Sequence, residues 1–186
     1  MNPIIENILS RRSVRAYSEE QIKQEDMEQI LKAGLYAPSG CNTQSWHFTV
    51  IQNKDLMKEL NTESKKILET CEVEKFQELA KNENYDIFYK APTTIIISGE
   101  SSAPCPREDC AAASENMILT ANSLGIGSCW IGLITYLFLS EKVGEYTKKL
   151  GIPEGYAPYY AITLGYKKYP DPKPHPRRAN TVNFIK

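Results

Sequence analysis

Asp109-Cys-Ala-Ala-Ala-Ser-Glu-Asn-Met-Ile-Leu-Thr-Ala-Asn-Ser-Leu-Gly-Ile-Gly-Ser-Cys-Trp-Ile-Gly132 reads as a helix that runs without a linker into a strand. Pro106 suits the first helical position, Glu108 and Asp109 load the first turn with negative charge, and Gly125 supplies the stop. Between them Ala111, Ala112, Ala113, Ser114, Met117, Ile118, Ala121 and Leu124 are mostly small or apolar. So many small residues let another backbone approach closely, either inside the subunit or across a dimer. Gly125-Ile126-Gly127 reads as a turn, and a strand follows over Ser128 to Ile134. The dinucleotide-binding order of strand, glycine loop and helix is reversed here, which disfavours a Rossmann reading.

Working outward, Met27, Ile30, Leu31, Gly34 and Leu35 share one helical face, and Pro38 stops that helix. A second helix over Asp55 to about Leu68 groups Leu56, Met57, Leu60, Ile67 and Leu68, and Val73 to Tyr85 reads as a polar helix. A further helix, Ser140 to Leu150, ends at Gly151. Strands read at Trp46 to Gln52, Thr93 to Ser98 and Tyr159 to Leu164. The β-branched run Ile95-Ile96-Ile97 suits a strand buried on both faces. The alternation predicts one sheet covered by helices on both sides, in a single domain over residues 1–186. An extended proline-rich arm closes the chain from about residue 169 to 186.

The chain has 22 basic and 23 acidic residues, a net charge of −1, which argues against nucleic acid or an anionic membrane as the main partner. Its arginines are unevenly spent. Arg11, Arg12 and Arg15 lie near one end and Arg177 and Arg178 near the other, with Arg107 alone between them. No basic n-region or long apolar run is present, so a cytoplasmic protein with reduced thiols is expected from Cys41, Cys71, Cys105, Cys110 and Cys129.

Arg11-Arg12-Ser13-Val14-Arg15 is either a solvated basic turn or a phosphate site. In an extended stretch Arg11, Ser13 and Arg15 face the same way, and guanidinium forks match phosphate oxygens. Ala37-Pro-Ser-Gly-Cys-Asn-Thr-Gln-Ser-Trp46 is either a loop of self-satisfied amides or a cradle for a flat heterocycle. Gly40 permits close approach, and Asn42 and Gln44 offer donors and acceptors. Cys105 and Cys110 lack a second pair at ligand spacing, so they read as structural or incidental thiols rather than metal ligands. His47 reads as a semi-buried strand residue, and His175, in the proline arm, carries no evident chemistry.

Taken in order, RRSVRAY, APSGCNTQSWHF, FYKAP, DCAAASENMILTANSLGIGSCWIG, IPEGYAPYYAITLGY and the terminal Arg pair resemble the motifs of the FMN-dependent nitroreductase family. They span about residues 8 to 178. The resemblance implies an α+β fold, with a central mixed or antiparallel sheet flanked by helices, in an intertwined obligate homodimer. Two FMN molecules would sit at the subunit interface. Arg11, Arg12, Ser13 and Arg15 would hold the phosphate and ribityl chain, helped by Arg177 or Arg178. Pro38, Ser39, Gly40 and Asn42 would reach the flavin from the partner subunit. Ile131 and Gly132 would pass along the isoalloxazine.

The chain departs from the family at Ser45, where proline is usual, and at Cys41, where glycine or a small polar residue is common. An amide contact expected between Leu60 and Tyr85 stays unassigned. The implied reaction is hydride transfer from NAD(P)H through FMN to an electron-poor small-molecule acceptor, with no side-chain nucleophile, no metal and no membrane or nucleic-acid partner. The rival expectations are a reductive dehalogenase or flavin-destructase relative, and a non-catalytic FMN module in which Cys41 or Cys105 senses oxidation.

Overall fold

A computed structural model describes residues 1–186. Four strands form one antiparallel sheet in the order β1-β2-β4-β3: β1 is Trp46–Ile51, β2 Thr93–Glu100, β3 Ile126–Ile131 and β4 Tyr156–Tyr166. Seven helices surround it: α1 Pro3–Ser10, α2 Gln24–Leu35, α3 Lys54–Leu68, α4 Glu74–Lys81, α5 Pro106–Ser123, α6 Thr135–Phe138 and α7 Val143–Lys149. No helix is long and apolar enough to cross a membrane.

The sheet divides two cores, as the isoleucine run predicts. Ile95 and Ile97 point to one side, with Met27 and Ile30 of α2 and Ala113, Met117 and Ala121 of α5. Ile96 points to the other, with Met57, Leu60 and Leu68 of α3 and Leu137, Phe138 and Tyr146 of α6 and α7. All three isoleucines are fully buried. The small residues of α5 serve this packing inside the subunit. Gly34 lets α2 close on α5, since a Cβ there would meet Met117 Cε at 2.8 Å. Leu35, counted on the core face by its spacing, is instead exposed at the helix end.

Several boundaries differ from the sequence reading, each for a local reason. β3 starts at Ile126, because Gly127 is a strand residue opposite Gly165 and not a turn residue. Its missing side chain is needed for contact: a Cβ would meet Val14 Cγ1 at 2.9 Å. β3 then ends at Ile131, and the Thr135 N–H donates to the Gly132 carbonyl at 3.0 Å to start α6. The helix expected over 140–150 is shorter, preceded by a turn in which the Ser140 hydroxyl accepts from Lys142 N–H at 3.2 Å. The polar helix expected over 73–85 ends at Lys81, and β4 is longer than expected at both ends. Near its start the register slips, leaving Tyr159 between the pairs Ile97–Tyr160 and Ser98–Pro158. Pro158 is tolerated there because only β2 flanks that part of β4.

Candidate cofactor site

The two ends of the chain meet because the N-terminal segment is sewn to the exit of the sheet. Ser13 bridges Ser128 in parallel, and the Val14 N–H donates to the Ser128 carbonyl at 2.8 Å. Tyr17 bridges Lys167, and the Lys168 N–H donates to the Ala16 carbonyl at 3.1 Å. The buried Tyr17 hydroxyl fixes the segment from beneath, bonding the Val14 carbonyl at 2.7 Å and Thr163 Oγ1 at 2.8 Å. The arm that leaves β4 therefore starts beside Arg15.

Arg11, Arg12, Ser13 and Arg15 line one cavity of about 230 Å³ with Lys173, His175 and Arg177 of that arm. Arg178 is not in the wall, so Arg177 is the member of the terminal pair that the fold brings alongside. Lys173 and His175 were given no role by the sequence; only the fold of the arm reveals them. The wall holds four arginines, one lysine and no carboxylate.

No arginine of the chain makes an ion pair. All four ion pairs of the chain are made by lysines, namely Lys66, Lys142, Lys149 and Lys167. Arg12 turns one nitrogen to the Leu9 and Arg11 carbonyls at 2.8 and 2.7 Å, while its Nε is buried without a partner. Arg15 lies over the Tyr89 ring, 5.7 Å from its centre, and Tyr85 meets Tyr89 edge-on at 6.1 Å. A buried, unpaired guanidinium nitrogen in a carboxylate-free cationic wall fits a phosphate group.

The second group of expected site residues is built quite differently. Gly40–Asn42 form a single 3-10 turn, and Cys41, Asn42 and Gln44 all hold positive φ, at 53°, 55° and 50°. Such angles are costly for residues with a Cβ and persist when surroundings enforce them. Asp109 is the enforcer. Its buried carboxylate accepts from Gly40 N–H at 2.8 Å, Ser45 Oγ at 2.8 Å and Thr43 Oγ1 at 3.3 Å. Ser39 Oγ accepts from Gln44 N–H at 3.0 Å, and Asn42 Oδ1 from Gln44 Nε2 at 3.3 Å.

Ser45, the departure from the usual proline, is thus a buried partner of Asp109. Pro38 and Ser39 enter this turn, and Gly40 abuts Cys105, whose Sγ stands 3.4 Å from where a Cβ would be. Cys41 and Cys105 are exposed, whereas burial beside Asp109 pushes the Cys110 thiol up to about 12.

Ile131 is buried in the core, and Gly132 follows it at the surface, where a Cβ would meet nothing within 4 Å. This end of β3 lies three residues beyond Ser128, the strand residue that carries the Ser13 bridge.

The cavity that gathers the arginines is lined by no residue of the Pro38–Asn42 turn. Asp109 holds the turn at the start of α5, while Asn122, near its end, donates to Asn7 Oδ1 at 2.8 Å and so holds α1, which leads into Arg11. Those anchors are thirteen helical steps apart, about 20 Å along α5 at 1.5 Å per residue.

Residues 8–166 match the nitroreductase family. A nitroreductase of Bacteroides fragilis, solved with bound FMN, is 38% identical with a TM-score of 0.91, and the match covers 100% of both chains. A nitroreductase of Desulfitobacterium hafniense, also solved with bound FMN, is 30% identical with a TM-score of 0.90, again over 100% of both. A protein of Archaeoglobus fulgidus, provisionally named an NADH dehydrogenase/NAD(P)H nitroreductase, is 35% identical over 173 residues, 90% of this chain and 87% of that one. With the family match running from the first arginines to the end of the sheet, this chain belongs to the nitroreductase family.

Proposed function

We propose that the chain is an FMN-dependent oxidoreductase that accepts a hydride from NAD(P)H and passes the electrons to an electron-poor small molecule such as a nitroaromatic or a quinone. The observation that carries this reading is the cationic cavity, five charged side chains from both chain ends with no carboxylate among them. Arg11, Arg12, Arg15 and Arg177 would clasp the FMN phosphate, and the Ser13 hydroxyl would bond it or the ribityl chain. FMN, when bound, supplies the two-electron chemistry. The protein's own work is binding, orientation and exclusion of water. Ile131 and the open face of Gly132 would line the ring, and no side chain need act as a nucleophile.

The working unit is a homodimer. The Pro38–Asn42 turn is tied to the start of α5, and α1, which leads into the arginines, is tied near its end, so a flavin gripped by one subunit's arginines would meet the turn of the partner. Exposed apolar side chains give a dimer something to bury: Ile4, Ile5, Ile8 and Leu9 on α1, and Leu35 and Tyr36 at the end of α2. Five unpaired thiols suit a reducing, cytoplasmic setting.

Anaerobic addition of NADH, and separately NADPH, to the FMN-loaded protein tests the reading. Flavin absorbance should bleach with at least one donor and return when a nitroaromatic or quinone is added. A colourless protein that takes up no FMN on incubation overturns it. Tight FMN binding without bleaching leaves only the binding module.

A further inference from the structure

Arg107 stands apart from the arginine clusters at the two chain ends, on the first turn of α5. It borders a cavity of about 330 Å³ between α6, α7 and the start of β4. That volume falls in the range of small-molecule sites. Phe138, Leu139, Val143, Pro158 and Tyr159 make the walls largely apolar, and no carboxylate lines them.

Both threonine hydroxyls inside are already engaged, and Arg107 is the only cation in the lining. Thr135 Oγ1 donates to the Tyr159 carbonyl at 2.9 Å, and Thr147 Oγ1 to the Val143 carbonyl at 2.9 Å. Arg107 lies over the rings of Tyr159 and Tyr160, 5.7 and 5.9 Å from their centres, and spends only its Nε on Tyr160 Oη, at 3.3 Å. It makes no ion pair. The guanidinium lies over the two mutually tilted rings, and its terminal nitrogens carry donors that no group of this chain accepts.

A largely apolar, tyrosine-lined cleft with a single guanidinium at its border suits a ligand with an aromatic body and one carboxylate. The cleft also adjoins the end of β3, because Thr135 in its wall donates its N–H to the Gly132 carbonyl at 3.0 Å. We propose that this cavity binds small aromatic carboxylates through Arg107 and makes those that carry a reducible nitro group preferred electron acceptors of the enzyme. The acceptor role rests on the function proposed above; the binding role does not.

The probes are 4-nitrobenzoate and its neutral counterpart 4-nitrobenzamide, titrated calorimetrically into the purified dimer or monomer as it is isolated. The acid should bind at least about tenfold more tightly than the amide, the scale of a charge-assisted hydrogen bond. Arg107→Gln should bring the two to parity. Gly144→Leu fills the cleft from α7 without touching Arg107, since a Cβ at Gly144 meets nothing within 4 Å, and it should abolish binding of both.

In turnover, the ratio of kcat/KM for acid over amide should fall about tenfold in Arg107→Gln, the loss appearing in KM. Equal binding of acid and amide by the unaltered protein, or binding unmoved by both substitutions, overturns the site. Arg107-dependent binding with reduction that favours the amide overturns the acceptor role alone. Failure to bleach FMN with NAD(P)H, with carboxylate binding intact, removes the proposed function and leaves the site standing.

Discussion

The Pro38–Asn42 turn and the arginine cavity lie toward opposite ends of α5 and solve opposite problems. The turn is completed by its own chain: around its three positive-φ residues, three donors are satisfied by one buried carboxylate, Asp109. In the cavity, like charges gather, one guanidinium nitrogen is buried without a partner, and no acid balances them. A protein that merely needed stability would not assemble the second arrangement, since unbalanced charges repel. The turn is shape kept by the fold, and the cavity is charge kept for a ligand.

The comparison breaks first at Asp109. Asp109→Ala strands a half-buried Gly40 N–H and the buried Ser45 hydroxyl, and should cost about 3 kcal/mol in a urea unfolding titration. Asp109→Asn, which keeps an acceptor of the same size, should lose less. Unchanged stability in both would mean that the turn does not depend on the carboxylate.

Arg15→Ala should do the reverse. It should weaken FMN binding by ~1.5–3 kcal/mol, the scale of a charge-assisted hydrogen bond, while leaving the flavin-free protein at least as stable. Flavin retention equal to that of the unaltered protein would sink the cavity assignment.

The smallest effect sharpens the contrast between paired lysines and unpaired arginines. Lys149 holds the Glu59 carboxyl below its usual value near 4.5, and Lys142 and Lys66 do the same for Glu63. A depressed carboxylate stabilises the fold above its ordinary pKa and loses that contribution as pH falls through the lowered one. The stability gap between the unaltered protein and Lys149→Ala should therefore be present at neutral pH and close in acid. It should also shrink in high salt, because both partners are solvated. A gap that persists in acid would show that Lys149 acts through packing instead.

Helix and strand identity was legible wherever burial imposed a period. The small-residue run of α5 and the isoleucines of β2 declared their type, and the arginines at both ends signalled an anion. Two kinds of information were not local. Gly127 looks like a turn glycine, yet it is small because Val14, 113 residues earlier, packs over the strand. Asp109 looks like a first-turn carboxylate, complementing the α5 dipole, yet its partners lie 64 to 69 residues away. Likewise His175 and Lys173 become wall residues only once Tyr17 and Ala16 pair with the exit of β4. What sequence reading missed, in each case, was the identity of a distant neighbour.

α5 also acts as a ruler. In the proposed dimer each composite site needs one subunit's turn and the other's arginines, so the distance between the anchors at Asp109 and Asn122 fixes where both sites fall. Inserting a single residue between them would move one anchor by about 1.5 Å and rotate it by about 100° relative to the other. Loops elsewhere can lengthen without consequence for this register, but α5 cannot. Its length, more than any one side chain, is the dimension that an engineered or diverging relative is least free to change.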